Sequence, residues 1–225
     1  HLSKGRFREF SWDPKVKFHT IFLDIGRVLV GLDYEPALTT LSELNGLSAN
    51  QITDRLNNHP GIFDYEKGRL TTEEFFQQIK DLLAIDVSLE AFEKIWESSL
   101  VVDEEGSIGL LSSGLFQQLR EHYRVIALSN TNEMQFDYLL RVHPLIREFD
   151  DYVLSYQVGH LKPDPEIYRI ALQQSGASPE GSLLVDDLVK NIQGAERAGM
   201  KGLVFKGEGR LREELEELGV LTPDH

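Results

Sequence analysis

The chain of 225 residues is 41% hydrophobic and 27% charged, the composition of an ordinary globular protein that can bury a substantial core. Its net charge of −14 opposes binding to nucleic acid or to an anionic membrane, and the absence of cysteine excludes disulfides, thiolate metal sites and cysteine nucleophiles. The most apolar stretch, residues 21–32, is interrupted by Asp24 and Arg27, so neither a signal peptide nor a membrane span is indicated. We therefore expect a cytoplasmic protein whose partners include neither nucleic acid nor membrane.

The first predicted strand is the apolar run at residues 18–23, which ends at Asp24. No further strand pattern of an α/β fold occurs before Val125, although loops between strand and helix in such folds have about 2 to 6 residues. In between, apolar residues recur at spacings of three and four, which predicts helices at 36–44, 49–56, 71–83 and 89–98. Thr71 or Thr72 ahead of two glutamates is typical of a capped helix start. These helices predict an all-helical cap, inserted after the first strand.

Strand and helix patterns alternate after the cap. Strands are predicted at 124–128, 152–155, 183–185 and 202–205, and helices at 110–121, 132–141, 166–175, 191–198 and 211–218. Right-handed crossovers between such strands require a parallel sheet. The predicted fold class is therefore α/β, a doubly wound parallel sheet of Rossmann-like type with an inserted helical cap. The core is assigned to residues 15–32 and 106–225, the cap to 33–105 and an N-terminal extension to 1–14.

Polar residues stand where strands of this sheet are predicted to end: Asp24, Ser129, Lys162 and the pair Asp186–Asp187. In open parallel sheets the ligand crevice lies outside the carboxyl ends of the strands, so we expect these groups to meet. The set suits phosphoryl transfer through an aspartyl phosphate, because a carboxylate can attack phosphorus once cations cancel its repulsion with the phosphate. Mg²⁺, which prefers oxygen ligands, and Lys162 would supply the positive charge, and Ser129 would bind phosphoryl oxygens.

Four segments in order resemble the motifs of the haloacid dehalogenase superfamily, most of whose members are phosphatases. They are Phe-Leu-Asp-Ile-Gly-Arg-Val-Leu (22–29), Leu-Ser-Asn-Thr-Asn (128–132), Gly-His-Leu-Lys-Pro-Asp-Pro-Glu-Ile-Tyr (159–168), and Val-Asp-Asp (185–187) followed by Asn191, Ala195 and Ala198-Gly199. The resemblance spans roughly residues 17–205. It is greatest for the branch with a helical cap that includes α-D-glucose-1-phosphate phosphatases and the phosphatase domain fused to some epoxide hydrolases.

The resemblance implies a role for each motif residue. Asp24 would be the nucleophile, and the phosphate would be bound by Ser129, Asn130, Lys162 and Arg27. Mg²⁺ would be held by Asp24, the backbone carbonyl of Gly26, Asp187 and, directly or through water, Asp186, with Asn191 in support. The implied substrate is a small phosphorylated metabolite such as a sugar 1-phosphate, and the expected assembly is a monomer or a homodimer.

Gly26 departs from the pattern, because most phosphatases of this superfamily have an aspartate there as general acid and base. A glycine still offers its carbonyl to a metal ion but supplies no proton. A positioned acid or base contributes about 10²- to 10⁴-fold in rate, so its loss slows turnover without abolishing it. The glucose-1-phosphate branch also tolerates glycine at this position. Leaving groups that need little protonation, such as an anomeric sugar 1-phosphate, should be affected least.

Other assignments stay open at this point. Asp33 is a substitute for the missing acid or an N-cap of the first cap helix, and residues 59–69 form either a surface loop or a specificity segment. A 2-haloacid dehalogenase is an alternative, although that group has an aromatic residue where Gly26 stands and lacks the aspartate pair. A phosphonatase-like enzyme would need a cap lysine, for which Lys67 is the candidate. A pseudophosphatase that binds without turnover is supported only by Gly26.

Overall fold

The computed structural model describes residues 17–102 and 110–222. The predicted N-terminal extension (1–14) and the predicted cap–core boundary at 105–106 lie outside these residues, so the domain bounds stay predictions. In chain order the elements are β1 (Thr20–Leu23), β2 (Gly31–Leu32), α1 (Glu35–Asn45), α2 (Ala49–Asn57), α3 (Pro60–Glu66), α4 (Thr72–Leu83), α5 (Leu89–Glu97), β3 (Leu100–Val101), α6 (Ser113–His122), β4 (Arg124–Ser129), α7 (Glu133–Val142), a 3₁₀ helix (Pro144–Glu148), β5 (Asp151–Leu154), α8 (Ser155–Val158), α9 (Pro165–Ser175), β6 (Ser182–Asp186), α10 (Val189–Arg197), β7 (Lys201–Val204) and α11 (Glu208–Glu217).

Five of the strands form one parallel sheet in the order β5-β4-β1-β6-β7. Strand β1 is central, and its last residue, Leu23, pairs with Ala127 of β4 and Val185 of β6. The carboxyl ends of β1, β4 and β6 therefore lie side by side. The predicted doubly wound α/β fold with a helical cap is confirmed.

The sheet is buried on both faces. Alternate residues of β1 enter different apolar clusters, with Ile21 and Leu23 on one face and Phe22 on the other. The first face packs against side chains of α6, α7 and α11, and the second against α9 and α10. Because helices cover both faces, the strands read as continuous apolar runs rather than alternating ones.

The cap has an apolar core of its own, formed by α1 to α5 around Phe75 and Phe92. The predicted helix start at Thr71 is confirmed as the start of α4. Thr71 accepts a hydrogen bond from the Glu74 N–H, and the Glu74 carboxylate accepts one from the Thr71 N–H. Each fully buried aliphatic or aromatic side chain of this core contributes about 1.5 to 3 kcal/mol to folding. In the described part of the chain, no helix is long and apolar enough to cross a membrane.

Two features of the cap differ from the prediction. Residues 60–66, predicted as part of a loop, form helix α3, because Pro60 at its first turn suits a helix start and His59 accepts a hydrogen bond from the Gly61 N–H. The two connections between core and cap also pair with each other, as strands β2 and β3. Strands of two residues give too short a pattern to be recognised in sequence.

The cap rests on helix α7 of the core. The Tyr65 hydroxyl accepts a hydrogen bond from the Met134 N–H at 3.3 Å, and Met134 packs into the apolar core of the cap. An ion pair between Glu97 and Arg141, 3.0 Å long, joins α5 to the other end of α7. These contacts place the cap over the carboxyl ends of the central strands.

Candidate active site

Asp24 lies directly after β1 at the centre of the sheet edge. Its backbone N–H donates to the Val185 carbonyl at 2.9 Å, which continues the strand pairing through this residue. Its Oδ1 accepts hydrogen bonds or ion-pair contacts from the Ile25 N–H at 2.8 Å and from Lys162 Nζ at 3.0 Å. The residue is only 8% exposed, so its carboxylate is largely shielded from water.

Lys162 reaches the same point from a different kind of element than predicted. The sequence placed it at a strand end, but helix α8 follows β5 and Lys162 lies in the connection between α8 and α9. This segment is held to β4 because Asn130 accepts a hydrogen bond from the Lys162 N–H at 2.7 Å and donates one to its carbonyl at 2.9 Å. The buried ammonium group contacts Asp24 Oδ1, Asp186 Oδ2 at 2.6 Å and the Leu128 carbonyl at 2.6 Å.

The two adjacent aspartates at the end of β6 differ in their surroundings. Asp186 is fully buried, and besides Lys162 it accepts hydrogen bonds from the Leu188 N–H and the Asn191 side chain. Asp187 is half-buried, and apart from its own backbone N–H no residue that the structure describes gives its carboxylate a hydrogen bond or an ion pair. Ligand atoms of Asp24, Asp186 and Asp187 lie within 4.8 Å of one another, which makes this a possible metal-binding group.

The charges of this cluster are not balanced by the protein alone. Burial raises the pKa of Asp24 to about 6; Asp186 adds to this rise and Lys162 opposes it. Burial also raises the pKa of Asp187, with Asp186 adding to the effect and Arg27 and Lys162 opposing it. For Lys162, burial opposes the positive charge, but the two carboxylates outweigh it and raise the pKa. One lysine therefore faces three carboxylates, and a further cation would relieve them.

Ser129 and Asn130 flank the same point, at the end of β4. Ser129 is buried, and both residues line the cavity described below. The Thr131 N–H donates to Ser155 Oγ and the Thr131 carbonyl accepts from it, both at 2.9 Å, so this turn is fixed to the end of β5. Asn132, the next residue along, caps α7 by accepting from the Gln135 N–H. The structure thus brings the predicted serine to the predicted aspartates and lysine.

Gly26 and Arg27 form the turn that follows Asp24. A Cβ built on Gly26 meets only Leu32 Cδ1, at 3.4 Å, so the position has room for a side chain. Arg27 is exposed and adopts the left-handed backbone conformation, with φ of 58°. Its positive charge opposes the rise in the pKa of Asp187, which places the guanidinium near the aspartate cluster.

Asp33 lies further from this turn, at the base of the cap. Its carboxylate accepts a hydrogen bond from the Glu35 N–H at 2.9 Å and thereby satisfies a free donor at the start of α1. Tyr34 is the N-cap residue itself and makes no side-chain cap hydrogen bond. The geometry favours the capping role for Asp33 over the catalytic one.

A cavity of about 670 Å³ lies between cap and core and opens onto the site. Gly26, Ser129 and Asn130 line its core end, while Leu41, Phe75, Trp96 and other apolar side chains line its cap end. Polar groups are added by Thr53, Asn57, Asn132 and Gln135. Four residues of the segment flagged in the sequence also line it, namely Ile62, Phe63, Tyr65 and Glu66. Glu66 was not singled out from sequence, because only the docking of α3 brings it to the site.

Comparison with known proteins agrees with this geometry. A family model for haloacid dehalogenase-like hydrolases matches residues 18–199. The chain belongs to this family. D-ribitol-5-phosphate phosphatase of Bacteroides thetaiotaomicron is 29% identical to this haloacid dehalogenase-like hydrolase over 202 residues, which cover 87% of this chain and 95% of that protein. Bifunctional epoxide hydrolase 2 of Rattus norvegicus is 32% identical over 74 residues, 33% of this chain and 13% of its own length.

Solved structures of haloacid dehalogenase-like hydrolases are similar over most of the chain. A family enzyme of Bacteroides thetaiotaomicron, crystallised with magnesium and inorganic phosphate, has a TM-score of 0.74 and 25% identity, covering 85% of this chain and 96% of its own. A predicted hydrolase of Porphyromonas gingivalis has the same fold, with a TM-score of 0.74 at 24% identity over 90% of this chain. The resemblance drawn from the four motifs is confirmed, and the protein is a hydrolase.

Proposed function

We propose that this hydrolase is a Mg²⁺-dependent phosphatase that removes phosphate from a small phosphorylated metabolite through an aspartyl-phosphate intermediate. The observation that carries the proposal is the group of three aspartates within 4.8 Å of one another, at the carboxyl edge of a parallel sheet. The buried ammonium group of Lys162 contacts two of them. An anionic nucleophile can attack a phosphate dianion only where nearby cations offset the repulsion between the two negative charges.

The donor set fits a magnesium ion. Magnesium takes oxygen ligands and usually keeps several waters and a substrate phosphate oxygen, so one or two carboxylates suffice. Asp24 and Asp187 would be the direct protein ligands, together with the Gly26 carbonyl, because both oxygens of Asp186 are already engaged by Lys162 and Asn191. Bound there, the cation would neutralise the phosphate and the aspartates. The similar enzyme of Bacteroides thetaiotaomicron was crystallised with magnesium and inorganic phosphate.

Each further step is assigned to a residue of the chain. The Asp24 carboxylate attacks phosphorus, and the leaving oxygen departs on the cavity side. Lys162 stabilises the charge of the transferring group, and the Ser129 hydroxyl and the Asn130 amide bind its remaining oxygens. Arg27, exposed at the mouth of the site, attracts the incoming phosphate. Water then hydrolyses the phosphoaspartate and releases Asp24.

The substrate is proposed to be a sugar phosphate, for which sugar 1-phosphates are one candidate class. One similar protein is a D-ribitol-5-phosphate phosphatase, which supports a sugar phosphate or a sugar-alcohol phosphate. The polar cavity residues Thr53, Asn57 and Gln135 could bind hydroxyl groups. The apolar cap end of the cavity favours a second class, phosphate esters of less polar alcohols, and both classes belong in a substrate screen.

The alternative activities receive less support. A 2-haloacid dehalogenase would have no use for the aspartate pair at the end of β6. A phosphonatase-like enzyme would need Lys67 in the cavity, but Lys67 is the C-cap residue that follows helix α3 and does not line the cavity. A pseudophosphatase would not need a nucleophile held between a lysine and a second carboxylate.

The test is phosphate release from a panel of sugar 1-phosphates, sugar 6-phosphates and less polar phosphate esters, with and without Mg²⁺. We expect metal-dependent release that falls by at least about 10⁴-fold in Asp24→Asn, because the amide is a poor nucleophile. Asp137→Asn is the matched control, since Asp137 is an exposed aspartate on α7 outside the site. Failure of the parent protein to release phosphate above the Asp24→Asn background on every ester would refute the proposal.

A further inference from the structure

We propose that Glu66 of the cap is the general acid and base of the reaction, in place of the aspartate that position 26 lacks. This inference rests on the proposed phosphatase function. It concerns the one chemical role that the motif residues leave unfilled, which is donation of a proton to the departing oxygen. Lys162 is not placed to donate that proton, because its ammonium group is held by two carboxylates and a carbonyl.

Glu66 is placed for this role by helix α3. It is the last residue of the helix, and it lines the same cavity as Gly26, Ser129 and Asn130. The side chain is half-buried. Within the described ranges, 17–102 and 110–222, its carboxyl group makes no hydrogen bond or ion pair, so both oxygens are available to a ligand. A carboxyl group without protein partners that faces a cavity is uncommon unless a ligand uses it.

Charged groups from three other segments mark where this carboxyl lies. Lys190, at the start of α10 and three residues after Asp187, attracts it. Charges on Glu66, Arg27 and Asp187 all act on the pKa of the Tyr34 hydroxyl, so the three groups lie within electrostatic range of it. Glu66 therefore reaches, from the cap, the cavity that Gly26 lines from the core. A leaving oxygen that departs from phosphorus into the cavity moves towards it.

The acidity of Glu66 suits both halves of the reaction. Burial raises its pKa to about 7, and Lys190 opposes the rise only in part. A group with a pKa near the working pH can be protonated in the first step and unprotonated in the second. Burial is also the cause that tunes catalytic glutamates in other hydrolases to this range.

The steps balance with Glu66 as the only proton carrier. As the bond between phosphorus and the leaving oxygen breaks, the Glu66 carboxylic acid gives its proton to that oxygen, and the product leaves as an alcohol. The Glu66 carboxylate then takes a proton from water as the water oxygen attacks phosphorus. The phosphoaspartate bond breaks, inorganic phosphate is released, and both Asp24 and Glu66 return to their starting states.

If Glu66 supplies the proton, the parent does not need a leaving group that departs easily. The preference for sugar 1-phosphates predicted from Gly26 should then appear only in a variant that lacks the Glu66 carboxyl group. The distinction is testable with two esters of similar shape. p-Nitrophenyl phosphate has a leaving group that needs no proton, whereas phenyl phosphate has one that is helped by protonation. In Glu66→Gln we expect kcat/KM to fall by about 10²-fold or more for phenyl phosphate and by less than about tenfold for p-nitrophenyl phosphate.

The role of Glu66 as general base is tested by a separate measurement. In Glu66→Gln, rapid mixing with p-nitrophenyl phosphate should give a burst of p-nitrophenolate followed by slow turnover, because breakdown of the phosphoenzyme then limits kcat. Equal losses of kcat/KM on the two esters, or no loss on either, would overturn the assignment of Glu66. An inactive parent would instead overturn the phosphatase proposal and this inference with it.

Two further variants complete the experiment. Glu93→Gln changes a half-buried glutamate of the cap that does not line the cavity, and it should leave both esters unaffected. The double variant Gly26→Asp/Glu66→Gln supplies an acid from the core, where only Leu32 limits the space. Its kcat/KM for phenyl phosphate should be at least about tenfold higher than that of Glu66→Gln. A double variant as slow as Glu66→Gln on that ester would count against the proposal.

Discussion

Lys162 is the buried positive charge that offsets the carboxylates of the site. A fully buried ammonium group pays a large desolvation penalty, which is offset here by two carboxylates and a backbone carbonyl within 3.0 Å. Asp24 depends on Lys162 in turn. Burial and Asp186 raise the pKa of Asp24 and Lys162 opposes the rise, so that the pKa is about 6. Removing this lysine would therefore affect both the proposed phosphate binding and the stability of the fold.

We expect Lys162→Met to abolish phosphate release and to lower stability in a pH-dependent way. The pKa of Asp24 is already raised in the folded state, so its ionisation costs stability as pH rises through that value, and without Lys162 the cost increases. The loss should reach about 3 to 5 kcal/mol at pH 8 and be smaller at pH 5, where Asp24 is protonated. Urea denaturation at the two pH values measures it. Lys206→Met, which removes an exposed lysine, should show no such pH dependence.

Most residues of the candidate site were predicted individually from the sequence. Asp24, Ser129 and the pair Asp186–Asp187 were predicted to meet because each follows a strand of a parallel sheet, and the sheet brings them to one edge. Lys162 was predicted to join them for the wrong reason, since the four-residue helix α8 has too few residues to show a helical pattern. Glu66 could not be predicted, because its position depends on how the cap packs against the core.

At the scale of elements, the contact between α3 and α7 determines what the cap presents to the site. Tyr65 stacks on Phe75 in the cap core, with ring centroids 4.2 Å apart, and its hydroxyl lies between Thr72 and the Met134 N–H. That N–H is in the first turn of α7, where helix donors have no partner within the helix. Tyr65 thus fixes α3, and with it Glu66, to a helix of the core.

Tyr65→Phe should loosen this attachment without disturbing the cap core. The aromatic stacking is kept, while the hydrogen bond to the first turn of α7 is lost, so we expect destabilisation by about 1 kcal/mol. A larger fall in kcat/KM than in stability is expected, since Glu66 would be less well placed. Chemical denaturation and steady-state kinetics measure the two effects. Tyr138→Phe is the control, because the Tyr138 hydroxyl makes no hydrogen bond within the described residues, and a matching loss there would contradict the reasoning.

The elements that the sequence predicted are those with long patterns. Helices α4 and α5 and the strands on both sides of β1 were located to within a few residues, since apolar periodicity and capping residues mark them. Helix α3 was read as loop because Pro60 and Gly61 stand together and only seven residues are helical. Its formation depends on Tyr65 packing into the cap core, which is a tertiary effect.

At the scale of the whole molecule, negative charge dominates, with a net charge of −14 and three acidic groups gathered at one sheet edge. Such a chain repels phosphate esters at a distance, so local cations at the site must reverse the field. The folded state also concentrates carboxylates that the unfolded chain keeps apart. A cation that binds the folded state alone would therefore stabilise it.

We expect Mg²⁺ to raise the melting temperature of the parent and to have little effect on Asp187→Asn. The gain would approach about 2.7 kcal/mol at a Mg²⁺ concentration one hundred times the dissociation constant. Differential scanning fluorimetry over a magnesium titration measures it, with ionic strength held constant by NaCl. In Asp137→Asn the shift should equal that of the parent; a magnesium shift that persists undiminished in Asp187→Asn would exclude this aspartate as a ligand.

The pairing of β2 with β3 has a consequence for how such a protein can change. The chain leaves the core at Gly31–Leu32 and returns at Leu100–Val101, and these two segments are paired side by side. Because exit and return are adjacent, the geometry of the sheet does not depend on the length of what lies between them. The cap is in this sense an exchangeable unit, in which the proposed proton donor, the cavity walls and the cavity size can be replaced together. The proposed nucleophile, the lysine and the acidic pair would stay in register through such an exchange, so new substrates would become accessible without rebuilding the proposed phosphate site.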